Sequence, residues 1–150
     1  MVQYFTKEGL EKLKKELNDL KTKEMRGVVK LIKEAAAFGD LKENAAYHEA
    51  RNTKSFLLGR IEQLELAVNE AVIVEKKDGG AIQVGSEVLI LFGSAKEKYH
   101  IVAPTEANIL KNKMSYQSPL GSQLMNRKAG EEFHYEIKDK KMKVKILEIK

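Results

Sequence analysis

Two carboxylates, Asp40 and Glu43, are the residues of this chain best placed to do chemistry. They stand three apart in Gly39-Asp40-Leu41-Lys42-Glu43-Asn44-Ala45. At a helix start this spacing puts both on one side. Exposed carboxylates can hold Mg²⁺ through their oxygens, but the ion demands six ligands and keeps several waters. Two side chains are an incomplete site that needs a partner to finish it. The same spacing also reads as a capping box, with Asp40 on the backbone and Glu43 reaching back, and it complements the helix dipole. Both readings stay open on spacing alone.

Other chemistries find no support. The chain has no cysteine, so it has no disulfide framework, thiol nucleophile or Cys-based zinc site. His48, His100 and His134 are scattered and lack paired metal-ligand spacing. No Ser/His/Asp arrangement is visible. Asp78-Gly79-Gly80 is too short for a phosphate loop and follows no strand.

The elements that carry the pair can be read from periodicity. Residues 7–75 contain no proline. Thr6 suits an N-cap for a helix beginning at Lys7. Leu10, Leu13, Leu17 and Leu20 form a coiled-coil seam, which slips near Glu24 and resumes through Val28, Leu31, Ile32 and Ala35. A second stripe runs through Leu57, Leu58, Ile61, Leu64, Val68 and Val72. The period breaks at Phe38-Gly39-Asp40. Gly39 can end a helix in the left-handed conformation, and Asp40 can cap the next. The expectation is an antiparallel hairpin of two helices, each of roughly 30 residues and about 45–50 Å long. Ala35, Ala36 and Ala37 face Ala45, Ala46 and Ala50 across the turn, which suits a slender tip; alanine is also simply a good helix former.

Beyond Lys76–Gly80, read as a turn or linker, the pattern changes to strands. These are Val84–Phe92, Lys98–Val102, Glu132–Ile137 and Met142–Ile149, with a turn at 138–141 between the last two. Ser118-Pro119 opens a short helix. The fold class is therefore α+β: a coiled-coil hairpin over 1–75 with its acidic tip near 39–44, a linker over 76–84, and a small sheet domain over 85–150.

The length of 150 residues allows one ordinary domain or two small ones. Residues 1–75 carry 13 Lys+Arg and 13 Asp+Glu; residues 76–150 carry 14 and 9. The balanced half suits a helix with solvated faces, and the basic half suits an acidic partner, nucleic acid or a plain soluble surface. No apolar run approaches a membrane span, and MVQYFTKEGL lacks the apolar core of a signal peptide.

The chain resembles, over its whole length, the bacterial transcript cleavage factors of the Gre family, GreA type. The resemblance lies in YFTKEGLEKLKKELNDLK, GDLKENAAYHEAR and GRIEQLE, and in VGSEVLI, HIV and SPLG of the second half. GDLKENA-Y at the bend of a long hairpin is its most specific element. The resemblance implies an FKBP-like second domain, without isomerase activity, that docks on bacterial RNA polymerase at the rim of the secondary channel. It implies that the hairpin passes down the channel. There Asp40 and Glu43 help hold a second Mg²⁺ at the polymerase active site, and the polymerase itself cuts the backtracked 3′ end of the nascent RNA. The chain would then be a cytoplasmic monomer, not an enzyme. Asn44 and Tyr47 sit one turn behind as tip support, Tyr47 mainly by packing. Arg51 and Lys54 read either as contacts to RNA phosphate or as a solvated helix face.

The tip departs from the family pattern. Many relatives read EAREHGDLKENAEY where this chain reads EAAAFGDLKENAAY. Ala36 replaces an Arg, Phe38 a His and Ala46 an acidic residue, which removes a phosphate contact and lowers the negative potential beside the metal site. These changes keep two other readings open: a Gre-like inhibitor that blocks the same channel, and a coiled-coil adaptor with no part in chemistry.

Overall fold

The computed structural model describes residues 2–77 and 79–150; Asp78, within the expected turn and linker, lies outside the described residues. The backbone divides into two compact units, Glu11–Glu70 on one side and Met1–Leu10 with Ala71–Lys150 on the other.

Strand β1 (Gln3–Phe5) precedes helix α1 (Lys7–Asp19). As expected, Thr6 opens the helix: its hydroxyl accepts from the Gly9 N–H at 3.0 Å. The seam slip near Glu24 has a structural cause. Leu20–Glu24 is a π-helical segment, after which α2 (Met25–Ala36) continues without a break. A π turn absorbs one extra residue, so the seam that runs through Leu17 of α1 and Leu20 at the start of the π segment re-enters the interface at Val28 and Ala35. Both of those residues are buried.

Helix α3 (Ala45–Asn69) returns. Its seam runs through Ala50, Lys54, Leu57, Ile61, Leu64 and Val68, a spacing of four, three, four, three and four. Leu64 is fully buried and Ala50 and Ala67 nearly so, whereas Leu58, expected in the stripe, is half exposed. Two ion pairs lock the arms in register. Arg60 makes a bidentate contact to Glu16, Nε to Oε1 at 3.0 Å and Nη2 to Oε2 at 3.2 Å, and Lys21 meets Glu65 at 2.9 Å. Near the turn, Ala35 and Ala50 are the buried residues. Small side chains there let the two helices meet with little bulk.

Two helical expectations are corrected. The return arm starts at Ala45 rather than at Asp40, and it ends at Asn69. Val72 therefore belongs not to the helix but to strand β2 (Ala71–Ile73), which pairs in parallel with β1. The β-branched pair Val72-Ile73 favours a strand once a partner strand is available, and periodicity within one segment cannot reveal a partner 68 residues away.

The remaining elements are β3 (Glu87–Phe92), β4 (Ala95–Val102), β5 (Lys113–Ser115), α4 (Pro119–Leu124), β6 (Glu132–Ile137) and β7 (Lys140–Ile149). They form a five-stranded sheet in the order β5-β4-β3-β7-β6, antiparallel except for the β4–β5 pair. Val88, Ile90, Ile101, Val144 and Ile146 alternate into one face and close over Leu124 of α4 and Ile82. Ile82 lies in the expected linker yet is wholly buried, and its backbone exchanges hydrogen bonds with Arg127 and Asn126 at 2.8 Å each. Ser118 caps α4 as its sequence suggests, accepting from the Gly121 N–H at 3.0 Å. The first strand belongs to this unit as well: Phe5 is fully buried, and Gln3 Oε1 accepts from the Thr105 hydroxyl at 2.8 Å. The α+β class holds, with the hairpin first and the curled sheet after it.

Candidate functional site

The tip of the hairpin is built from both helix ends. Helix α2 finishes with Ala37, Phe38 and Gly39 donating back to Lys33, Ala35 and Ala36 at 3.2, 3.2 and 3.1 Å. Gly39 adopts φ +94°, the left-handed conformation that a glycine at this place permits. Residues 40–44 form an irregular loop, and then α3 begins.

The residue that starts α3 is Asn44, not Asp40. Its backbone is extended (φ −89°, ψ 95°), and its Oδ1 accepts from the Tyr47 N–H at 3.0 Å. Its Nδ2 donates to the carbonyl of Ala35 at 2.7 Å. One side chain thus satisfies an orphan donor of α3 and an orphan acceptor of α2. An ionised aspartate has no donor and could do only half of this. That difference is why the cap falls at Asn44, and it removes the capping box that Asp40 and Glu43 suggested.

Asp40 and Glu43 are consequently exposed on a non-helical loop. Among the described residues neither carboxylate has a hydrogen-bond or ion-pair partner. The expected same-side placement on a helical turn does not apply. Nor do three or more His, Cys, Asp or Glu residues gather anywhere among the described residues as a metal cluster. The donor set therefore fits an incomplete oxygen site for a hard divalent cation, with two uncommitted carboxylates and room for ligands from elsewhere.

Other side chains stiffen the loop. The ring of His48 contacts the Lys42 carbonyl through Nε2 at 3.0 Å and lies edge-on to Tyr47 with centroids 5.6 Å apart. The spacing of the histidines gives no role to His48, and its contact to Lys42 depends on the loop conformation that the structure supplies. Tyr47 is half-buried, and the Arg51 guanidinium sits 5.7 Å from its ring centroid. Arg51 is exposed, while Lys54 lies on the seam and is partly covered. Phe38 and Leu41, on either side of Asp40, are 84% and 45% exposed.

Comparison with known proteins shows the family of the chain. The family described as "Transcription elongation factor, N-terminal" matches residues 3–73, and "Transcription elongation factor, GreA/GreB, C-term" matches residues 76–150. The chain belongs to the GreA/GreB family of transcription elongation factors. It is 41% identical to transcription elongation factor GreA of Thermosipho africanus, across 98% of this chain and 96% of that protein. To the GreA of Thermosipho melanesiensis it is 40% identical, across 99% and 97%. Among solved structures, that of the transcription factor Gfh1 aligns with a TM-score of 0.50 at 24% identity, covering 99% of this chain and 97% of that one, which supports the fold. The hairpin-plus-sheet organisation of the GreA/GreB chain thus extends over its full matched length. No helix among its described residues is long and apolar enough to cross a membrane.

Proposed function

We propose that this chain binds bacterial RNA polymerase, reaches its active site through the secondary channel, and stimulates the polymerase's own cleavage of backtracked RNA. The observation that carries this reading is the capping of α3 by Asn44, which leaves Asp40 and Glu43 exposed and without partners at the end of the hairpin. A carboxylate pair committed to capping is a structural device; a pair free of capping, on a loop pinned at both ends, is available to a metal. The 25-residue return arm rises about 37 Å, enough to carry the pair deep into a passage.

The residues divide the work. Asp40 and Glu43 contribute oxygen ligands for Mg²⁺, and the polymerase and its RNA complete the set. When bound there, the ion supplies Lewis-acid stabilisation of charge at phosphorus and eases deprotonation of the attacking water. Asn44 and His48 fix the loop that presents the carboxylates. Tyr47 and Arg51 form a stacked pair one turn behind, and Arg51 and Lys54 on the return helix contact RNA phosphate. The sheet unit docks on the polymerase. By this reading the chain is a cytoplasmic monomer that supplies ligands to another enzyme's site and has no nuclease activity of its own.

Single-turnover cleavage in backtracked elongation complexes, at saturating factor, tests the reading. Asp40→Asn and Glu43→Gln should each lower the stimulated rate by two or more factors of ten, each factor being about 1.4 kcal/mol. Binding to polymerase and the helix melting curve should be unchanged. A rate within about twofold of the parent for both variants would remove the metal assignment. Inhibition without cleavage by the parent would instead establish a channel blocker, and indifference to the tip sequence an adaptor.

A further inference from the structure

Phe38 has no place in the packing of the hairpin. Its side chain is 84% exposed, and no other ring among the described residues lies against it. Its neighbours Ala36 and Ala37 are too small to cover it. Its backbone, by contrast, is fixed: the Phe38 N–H donates to Ala35 at 3.2 Å, and Ala35 is the same carbonyl that Asn44 holds at 2.7 Å. A stiff aromatic ring with only two side-chain torsions is thus presented to solvent on a pinned turn, two residues before Asp40.

We propose that Phe38 is a stacking platform for an unpaired nucleobase of the RNA whose phosphodiester the Asp40–Glu43 pair addresses, with Leu41 as its apolar flank. This rests on the reading of the pair as a site acting on RNA. A nucleobase is the occupant whose chemistry fits best. Every base has a π-face, so an aromatic platform accepts any sequence, and stacking is the usual device for holding single strands. The cations of the same tip, Lys42 and Arg51, are both exposed and complement the phosphates that flank such a base. An apolar protein surface would match the ring but not the charges around it. Phe38 is then a binding residue that fixes which phosphodiester lies opposite the carboxylates.

The test uses the full chain with polymerase stalled on RNA carrying 5-iodouridine at the extruded 3′ end, because that photocrosslink forms most efficiently with an aromatic ring stacked on the base. Crosslinking should map to Phe38 and persist in the Asp40→Asn/Glu43→Gln double variant. It should fall at least tenfold in Phe38→Ala and return in Phe38→Tyr. The cleavage rate should fall about tenfold in Phe38→Ala on normal RNA, as expected for loss of one stacked base, and not at all when the 3′ nucleotide is abasic. Stimulated cleavage with no crosslink at Phe38 would overturn the stacking while leaving the carboxylate reading intact. A crosslink without stimulated cleavage would uphold the stacking and remove the metal role. Loss of polymerase affinity in Phe38→Ala with an unchanged crosslink pattern would reassign the ring to a protein surface and overturn the proposal.

Discussion

Replacing Asn44 by alanine tests the construction of the tip directly. The substitution removes two contacts at once, the Tyr47 N–H to Oδ1 bond at 3.0 Å and the Nδ2 to Ala35 carbonyl bond at 2.7 Å. Losing an Asn cap costs about 1 kcal/mol, within a range of roughly 0.5–2. Losing the second bond from a half-buried site costs about another 1 kcal/mol. The sum is about 2 kcal/mol, or a fall of roughly 4–8 °C in melting temperature for a chain of this size. Asn44→Asp separates the two contributions, since it keeps the acceptor and adds charge that suits a helix N-terminus, but loses the donor. It should cost about 1 kcal/mol or slightly less. Asp40→Ala should stay within about 0.5 kcal/mol, as a surface change without a partner. Urea unfolding followed by circular dichroism at 222 nm reads all three. The reasoning fails if Asp40→Ala costs as much as Asn44→Ala, because α3 would then start at Asp40 and the carboxylate would not be free.

Three further outcomes are expected. Gly39→Ala should destabilise by about 1–2 kcal/mol in the same urea experiment, from the left-handed backbone alone, since a Cβ there meets no neighbour. Glu132 is held below the ordinary glutamate range by a hydrogen bond from the Lys143 ammonium and by its charge, with Lys145 adding to the effect. Its contribution to stability is therefore complete above the ordinary range and is lost as pH falls through the lowered value; the carboxyl NMR titration of Glu132 should move upward in Lys143→Ala. Ile109 and Leu110 are 90% and 95% exposed in the sheet unit, beside a cleft lined by Tyr99, Met114, Leu120 and Tyr135. If that face docks on polymerase, Ile109→Ser/Leu110→Ser should weaken binding tenfold or more with no loss of melting temperature, and unchanged affinity would move docking elsewhere.

What the sequence made legible follows from the range of the interactions involved. The first arm of the hairpin, the cap at Thr6, the left-handed Gly39 and the Ser118-Pro119 helix start are all set by neighbours within about four residues, and each is found where it was expected; the return arm was legible as a helix but not in its bounds. Strands β6 and β7 were readable because a short turn joins them and alternation is local. Strands β1, β2 and β5 were not. Each is three residues long, and the parallel pairing of β1 with β2 unites segments that precede and follow the hairpin in sequence. Ile82 looked like linker for a similar reason: a short apolar stretch beside two glycines carries too little pattern to mark a core position, and bonds to the distant Asn126 and Arg127 hold it in the core.

The site shows the limit more sharply. Asp40-x-x-Glu43 satisfies the spacing rule for a capping box, and that rule considers only one helix. The competing candidate, Asn44, wins because the hairpin presents two helix ends together, and only a side chain with both a donor and an acceptor serves both. A rule built on single helices assigns the cap to Asp40; the geometry of the pair assigns it to Asn44. The consequence runs opposite to the usual trade between stability and function. The residue that stabilises the tip is distinct from the two proposed to work there, so the carboxylates carry no structural duty. Their substitution should therefore separate activity from folding cleanly. The same division explains how Phe38 can stand exposed on this loop: the turn is held by Gly39, Asn44 and His48, and the ring is left free for a ligand.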